Sequence, residues 1–237
     1  MAVQVTWLGE SGFLLQDDAN AVLLDPYFSD ALGKRREDRH RLRPAEPAWL
    51  EAAYDLVLFT HCHADHTDPE TVEQLVRHQP RLMLAGPASS RRILKDMPCF
   101  FEIEPGLNIR LGSFRIRALP AIHSDAHAVG YEIVHEGITM YFSGDTALLC
   151  DLAERVPHGA EAAFLCLNGG VGKNMNAEDA VMLARRIEAR LVIPFHYGIL
   201  PGGCEPTEFL ALLAKAGIPS FTPVYGEAFS LEAVVKS

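Results

Sequence analysis

Cysteine is scarce in this sequence and shows no disulfide pattern. The five cysteines among 237 residues are dispersed, odd in number and contain no CxxC pair. This pattern argues against a disulfide-rich secreted domain and against a zinc site built on thiolates. We therefore expect free thiols in a reducing, cytoplasmic compartment. The cysteines are Cys62, Cys99, Cys150, Cys166 and Cys204.

Long apolar runs and leader-like segments are also missing. No run reaches the ~18 apolar residues of a membrane helix. Residues 1–7 lack a basic region followed by an apolar core, so they do not resemble a signal peptide. No Ser-, Gly- or Pro-rich linker divides the chain. We therefore expect no membrane partner and one domain over residues 1–237.

Positive charge is in deficit. The chain has 21 Lys and Arg against 31 Asp and Glu, a net charge of −10 with histidine neutral. An acidic chain is a poor electrostatic partner for nucleic acid or an anionic membrane. The exception is the polar segment 27–47, which we interpret either as a solvated surface insertion or as a lid beside a binding site. Its basic residues are Lys34, Arg35, Arg36, Arg39, Arg41 and Arg43.

The hydrophobic pattern predicts a layered α/β domain. The apolar run 56–60 is typical of a strand covered on both faces. Asp68 and Pro69 predict the start of a helix that ends near His78. Strands and helices interleave along the chain, which favours helices packed outside sheets. The other predicted strands cover 3–7, 13–16, 21–25, 82–85, 115–119, 129–134, 139–142, 163–167 and 191–194, and the other predicted helices cover 147–156, 177–189 and 207–216.

Histidine, in contrast, is abundant and clustered. Four candidate ligands lie within six residues, directly after the predicted strand 56–60: His61, His63, Asp65 and His66. In extended backbone the side chains of His61 and His63 point the same way. Neutral imidazole and carboxylate are ligands for borderline and hard divalent cations. This block therefore predicts a metal site.

Three further ligand-type residues each follow an apolar predicted strand: His123, Asp145 and His196. All can converge on one edge of the sheets, which gives five His and two Asp candidates. We interpret most of the remaining histidines as surface residues. Asp125 and His127 stay open as residues behind the ligands or in contact with substrate. The remaining histidines are His40, His78, His127, His135 and His158.

The ligand pattern resembles the metallo-β-lactamase superfamily. The block 61–66, His123, Asp145 in a Gly-Asp turn and His196 before Tyr197 occur in that family's order, and the match spans nearly the whole chain. The resemblance implies an α/β fold, the single-domain four-layer αβ/βα sandwich, with a dinuclear metal site at one edge. The ligand sets it implies are His61, His63 and His123 for one ion, Asp65, His66 and His196 for the other, and Asp145 as the bridge.

Shorter motifs are similar to the L-ascorbate-6-phosphate lactonase-like branch of that superfamily. The chain departs from this branch at Glu10, which is often His or a small residue in relatives. It also departs at Gly198, where the lactonases tend to carry Asp. The lactonases are longer chains as well. The motifs are Trp7–Leu14 (WLGESGFL), Gly33–Arg36 (GKRR), Asn174–Ala180 (NMNAEDA) and Ile193–Tyr197 (IPFHY).

The resemblance and the ligand chemistry together predict a hydrolase that cleaves a small anionic ester or sugar-phosphate-like lactone with a hydroxide activated by two divalent ions. Zn is our first candidate for both ions, with Mn and Fe as alternatives. We expect Asp65 to orient the hydroxide and to protonate the leaving group. Tyr197 either donates a hydrogen bond to the developing oxyanion or only packs. Lys34, Arg35 and Arg36 are the predicted contacts to an anionic substrate.

Other activities stay open. The net charge disfavours a phosphodiesterase or nuclease, and the lack of an amphipathic membrane helix disfavours a phospholipase-like enzyme. The complete ligand set argues against a non-catalytic metal protein. Flavodiiron-type redox chemistry is disfavoured, because such enzymes usually have an acidic ligand in place of one His. We expect a small-molecule substrate as partner, no nucleic acid and no membrane, and we leave a homo-oligomer open.

Overall fold

The computed structural model describes residues 2–149, 151–167, 173–203 and 205–236. Two β-sheets pack face to face, and helices cover their outer faces in one α/β sandwich. Three of the cysteines, Cys62, Cys99 and Cys166, are free thiols, as expected. Cys150 and Cys204 lie outside the described residues.

The first sheet is mixed and has seven strands. It consists of β1 (Gln4–Gly9), β2 (Gly12–Gln16), β3 (Ala21–Leu24), β4 (Leu56–Leu58), β5 (Met83–Gly86), β6 (Phe100–Glu102) and β13 (Ala228–Ser230). The strand order is β13-β1-β2-β3-β4-β5-β6. Strands β3 to β6 run parallel to one another, so the loops that follow them open on the same edge.

The second sheet is also mixed and has six strands. It consists of β7 (Asn108–Leu111), β8 (Phe114–Pro120), β9 (Val129–His135), β10 (Ile138–Phe142), β11 (Ala162–Cys166) and β12 (Val192–Phe195). The strand order is β12-β11-β10-β9-β8-β7. Strands β10, β11 and β12 are parallel, whereas β7 to β10 form an antiparallel meander.

Side-chain caps begin two of the helices, and a glycine ends a third. The Asp68 side chain accepts a hydrogen bond from the Glu70 amide at the start of α3, and the Asn176 side chain caps α6. Gly217 ends α7 in a left-handed conformation. The helices are α1 (Ala31–Arg35), α2 (Ala48–Glu51), α3 (Pro69–His78), α4 (Ala88–Ile93), α5 (Leu152–Arg155), α6 (Ala177–Arg186), α7 (Thr207–Ala216) and α8 (Leu231–Lys236), with a 3-10 turn at Glu37–Arg39.

The predicted helix 147–156 is wrong in length, because helix α5 covers only Leu152–Arg155. The backbone N–H of Ala147 donates to the carbonyl of Ile122, and Thr146 Oγ1 accepts from the Ile122 amide. These bonds tie the start of the segment to the loop after β8 and replace helical pairing. The prediction also missed the short elements β6, β7, β13, α4 and α8.

Aromatic rings fill the space between the sheets. Phe13 of β2 packs edge-on against Phe164 of β11 and Phe195 of β12, at centroid distances of 5.1 and 5.9 Å. Phe142 of β10 stacks on Phe164 at 4.0 Å. This core fixes the two sheets against each other and therefore fixes the loops at their shared edge.

Segment 27–47 folds as short helical turns and loop. It packs against the loop that follows β12. The Leu42 amide donates to the Ile199 carbonyl at 2.7 Å, and Arg39 donates to the Pro201 carbonyl. Tyr27 and Leu200 share a small apolar cluster.

Within the described ranges, no helix has the length and apolarity needed to cross a bilayer.

We predict that Phe164→Ala lowers the free energy of unfolding by about 3–5 kcal/mol, because it empties a fully buried site between the sheets. Urea denaturation followed by circular dichroism measures the change. The control is Phe101→Ala on β6, whose side chain is 57% exposed. Its expected change is within about 0.5 kcal/mol. Equal losses in the two variants would contradict this account of the core.

Candidate metal centre

All seven predicted ligands lie at one edge of the sandwich. The block from His61 to His66 follows β4 and ends where Asp68 begins α3. His123, Asp145 and His196 come from the loops after β8, β10 and β12. Both sheets therefore contribute, and the rigid strands fix where each loop begins.

The first group of donors contains three imidazoles. The distance from His61 Nε2 to His63 Nδ1 is 3.0 Å, and that from His123 Nε2 to His63 Nδ1 is 3.2 Å. Nitrogen ligands ~2.0–2.1 Å from one tetrahedral ion lie roughly 3.3 Å apart. The spacing of the three nitrogens therefore fits a single divalent cation.

The second group contains Asp65, His66 and His196. His66 Nε2 and His196 Nε2 are 3.3 Å apart, and Asp65 Oδ2 lies 3.7 Å from His196 Nε2. His66 and His196 are buried, whereas the Asp65 side chain is partly open to solvent. This group also has the spacing and the mixed N/O chemistry of a divalent metal site.

Asp145 lies between the two groups. Its Oδ1 is 3.5 Å from His66 Nε2, and its Oδ2 is 3.5 Å from His196 Nε2 and 3.8 Å from His123 Nε2. The amide of Asn174 donates to Oδ2 at 2.8 Å, and the Cys166 thiol donates to Oδ1 at 3.3 Å. The carboxylate thus faces both groups in one fixed orientation.

Charge in this buried cluster is balanced between carboxylates and imidazoles. Burial alone raises the pKa of the Asp145 carboxyl, but His196 and His66 outweigh burial and hold that pKa well below its usual range. Burial lowers the pKa of His66, yet Asp145 and Asp25 raise it to about 9. Burial lowers the pKa of His61 well below its usual value. His61 therefore offers a neutral nitrogen, while His66 binds a cation only by releasing a proton.

Sequence reasoning missed the carboxylates behind two of these histidines. Asp25 Oδ2 lies 2.8 Å from His66 Nδ1, and Glu10 Oε2 lies 2.8 Å from His196 Nδ1. Both residues directly follow strands, as the ligands do. That position is the one signal in the sequence that marks them.

Asp125 links its own loop to the loop after β4 and to helix α4. Its carboxylate accepts from the Cys62 amide at 3.0 Å, the Ser89 hydroxyl at 2.6 Å and the His127 amide at 2.9 Å. This places Asp125 behind the ligands, one of the two roles left open for it. His127 itself is exposed.

Most of the remaining histidines lie at the surface, as expected, and His135 is the exception. His135 is fully buried rather than at the surface, and its Nε2 lies 3.0 Å from Asp17 Oδ2. The alternating pattern of β9 directs it inward. The other four are exposed: His40, His78, His127 and His158.

Tyr197 directly follows the candidate ligand His196, but its side chain packs elsewhere. Its ring packs on Trp7 at a centroid distance of 4.8 Å. The hydroxyl is buried without a hydrogen-bond partner among the described residues, and burial raises its pKa to about 12. The charges that act on it are Glu205 and Arg43. Its role in catalysis stays a prediction.

The predicted substrate contacts lie on α1 and just beyond it. Lys34 pairs with Glu70, and Arg36 pairs with Asp38 at 2.8 Å. Arg35 is exposed. In the part of the chain that the structure describes, none of the three bonds to a candidate ligand. Their role in substrate binding also stays a prediction.

Comparison with known proteins decides the family. The β-lactamase superfamily domain matches residues 20–197, a span that contains all seven candidate ligands. The chain belongs to the metallo-β-lactamase superfamily. The predicted α/β sandwich of that superfamily, with helices outside two mixed sheets, is confirmed.

Relatives of known sequence and structure cover nearly the whole chain. A UPF0173 metal-dependent hydrolase from Oenococcus oeni is 27% identical over 229 residues, 89% of this chain and 93% of the relative. Igni18, a metallo hydrolase from Ignicoccus hospitalis, superimposes with a TM-score of 0.77 at 22% identity, over 97% of this chain and 98% of the other. YhfI from Bacillus subtilis, a metallo-β-lactamase fold protein, gives a TM-score of 0.71 at 17% identity, over 97% and 99%. The chain is therefore similar over nearly its whole length to metal-dependent hydrolases of this superfamily.

We predict that Asp145→Ala weakens metal binding at both donor groups together, because its carboxylate faces both. Zinc bound per chain after dialysis, measured by inductively coupled plasma mass spectrometry, should fall for the whole centre. Asp151→Ala, which removes an exposed carboxylate paired with Arg155, is the control and should leave metal content unchanged. An Asp145→Ala protein that keeps its full metal content would exclude the bridging position.

Proposed function

We propose that this protein hydrolyses a small anionic ester or lactone, similar to a sugar-phosphate lactone, with two divalent ions. The observation that carries the proposal is the position of Asp145, which directs one oxygen toward His66 and the other toward both His123 and His196. A carboxylate placed in this way suits two neighbouring cations. Zn is the first candidate, and Mn and Fe remain alternatives, because the donors are imidazole and carboxylate.

The chain itself would supply binding and proton transfer. Bound at these two groups, divalent cations lower the pKa of water toward 7 and polarise the substrate oxygen. Asp65 is the candidate for proton transfer, because its side chain is more exposed than that of Asp145 and lies beside His196. It would accept the proton of the attacking water and return it to the leaving oxygen.

Anion recognition is proposed for segment 27–47. The segment packs on the loop after His196 through the Leu42 and Ile199 backbones, which supports a role for its cations beside the second donor group. The ion pairs that Lys34 and Arg36 make are solvent-exposed. Exposed pairs contribute only about 0–1 kcal/mol, so a substrate phosphate or carboxylate can replace their present partners.

A cavity lined in part by the chain before and after the His123 loop suits the uncharged part of a substrate. Its volume is about 620 Å³, within the range of small-molecule sites. Pro120, Ala121 and residues 126–128 form one wall, and apolar side chains such as Ile103 and Leu107 form much of the rest. Its charged lining residues, Glu102 and Glu104, are acidic. The substrate anion is therefore assigned to the side of segment 27–47.

The lactonase-like branch is proposed on the short motifs. In one of them, Asn174 donates to the Asp145 carboxylate, which gives that motif a function at the centre. The proposal includes a small-molecule substrate and a cytoplasmic location. Phosphodiesterase or nuclease, phospholipase and non-catalytic metal binding are the outcomes that would replace it.

A substrate panel tests the reaction class. The metal-loaded protein would be assayed with a sugar-phosphate lactone, the uncharged lactone, bis-p-nitrophenyl phosphate, single-stranded RNA and phosphatidylcholine vesicles. We expect the highest kcat/KM for the phosphorylated lactone, loss after chelation, recovery with Zn²⁺ or Mn²⁺, and at least a ~100-fold lower kcat in Asp65→Asn. Preference for the phosphodiester, RNA or vesicles would replace the lactonase assignment. Metal binding without turnover of any substrate would favour the non-catalytic alternative.

Charge reversal tests the anion contacts. Lys34→Glu, Arg35→Glu and Arg36→Glu combined should raise KM for the phosphorylated lactone by about 10-fold or more, because each cation contributes a charge-assisted contact. KM for the uncharged lactone should stay within about 2-fold. The matched control reverses Arg110 and Arg115, two exposed cations on β7 and β8. An unchanged KM for the anionic substrate would remove this segment from recognition.

A further inference from the structure

We propose that Glu10 and Asp25 are positioning residues that make the Asp65, His66 and His196 group the tighter of the two metal sites, so that it fills first. This inference rests on the two-ion centre of the proposed function. It concerns metal binding alone, so it is tested without turnover.

Hydrogen bonds hold both the side chain and the backbone carbonyl of Glu10 in place beside His196. Its Oε2 lies 2.8 Å from His196 Nδ1, and its Oε1 accepts from the Leu200 amide at 2.8 Å. The Glu10 carbonyl accepts from the His196 amide and from Trp7 Nε1. Glu10 is 2% exposed, so no solvent competes for these bonds.

Asp25 has the equivalent position behind His66. Its Oδ2 lies 2.8 Å from His66 Nδ1, and its Oδ1 accepts from the Thr60 amide at 2.8 Å. The Thr60 hydroxyl donates to Oδ2 at 2.5 Å. With Asp25 only 1% exposed, the carboxylate has one fixed orientation toward the imidazole.

The first group has no such carboxylates. His61 Nδ1 faces the neutral Thr60 hydroxyl at 3.1 Å, and His63 Nε2 faces the Ser124 hydroxyl at 3.3 Å. His123 Nδ1 is buried and has no hydrogen-bond partner among the described residues. The two groups therefore differ in what stands behind the imidazoles, although both have suitable donors.

This difference has a direct chemical consequence. A carboxylate that accepts the outer N–H of an imidazole fixes its tautomer and makes the inner nitrogen a stronger donor. Loss of such a partner typically weakens metal binding 10–100-fold. The Asp65 carboxylate adds negative charge at the same group. Both effects act directly on the second group, whereas the first group reaches Asp25 only through the Thr60 hydroxyl beside His61.

Stepwise zinc binding to the apoprotein, measured by isothermal titration calorimetry at fixed pH, tests the inference. We expect two steps in the wild type. Glu10→Gln and Asp25→Asn should each weaken the tight step by about 10–100-fold and leave the weak step within about 3-fold. Each amide keeps an oxygen for Leu200 or Thr60, but its NH₂ would face the imidazole nitrogen and disfavour the required tautomer. The matched control is Asp17→Asn, a carboxylate–histidine pair with His135 outside the centre. It should change neither step.

Removal of a first-group ligand identifies the sites. His63→Ala should abolish the weak step and keep the tight one, and His196→Ala should abolish the tight step. Loss of the tight step in His63→Ala, or weakening of only the weak step in Glu10→Gln and Asp25→Asn, would overturn the inference. Near-ultraviolet circular dichroism checks folding, and the two amide variants lie on different strands, so either one alone decides the result. Two unequal steps without hydrolysis would leave this inference standing and remove the proposed function.

Discussion

A buried carboxylate between two groups of histidines is the interaction on which the rest of the structure depends. Asp145 is 4% exposed and has imidazoles on both sides. An isolated charge in such a place costs several kcal/mol. The fold accommodates it by bringing cation-binding groups to the same point from both sheets, and by orienting it with Asn174 and Cys166. The sandwich edge is therefore organised around charge compensation, and the aromatic core between the sheets keeps that edge in register.

Three residues of the centre have a left-handed backbone conformation. Glu10, Asp25 and His196 follow β1, β3 and β12 directly, and each has a positive φ, at 45°, 39° and 68°. Non-glycine residues rarely adopt such angles, which cost of order 1–3 kcal/mol each. All three side chains take part in hydrogen bonds of the centre. At each strand end the left-handed residue turns the chain, so that its side chain faces the centre. A residue in extended conformation would instead continue the strand.

The clustering of the candidate ligands is visible in the sequence, whereas the residues behind them are not, for a physical reason. His61, His63 and His66 stand close together after an apolar strand, and local spacing alone marks them. Asp25 and His66 are 41 positions apart, so their contact depends on the pairing of β3 with β4. Short strands such as β6 and β13 escape prediction because three residues carry too little periodicity. The burial of His135 is not visible in the sequence, because its partner, Asp17, is distant along the chain.

One carboxylate links the metal centre to the cationic segment. Glu10 orients His196 with one oxygen and holds the Leu200 amide with the other. Leu200 packs with Tyr27, and the adjacent Ile199 carbonyl accepts from Leu42, so segment 27–47 rests on the loop that Glu10 fixes. A ligand that moves the segment therefore acts on a loop bonded to a metal-site histidine. The proposed anion-binding segment and the candidate metal ligand His196 therefore depend on the same side chain, Glu10.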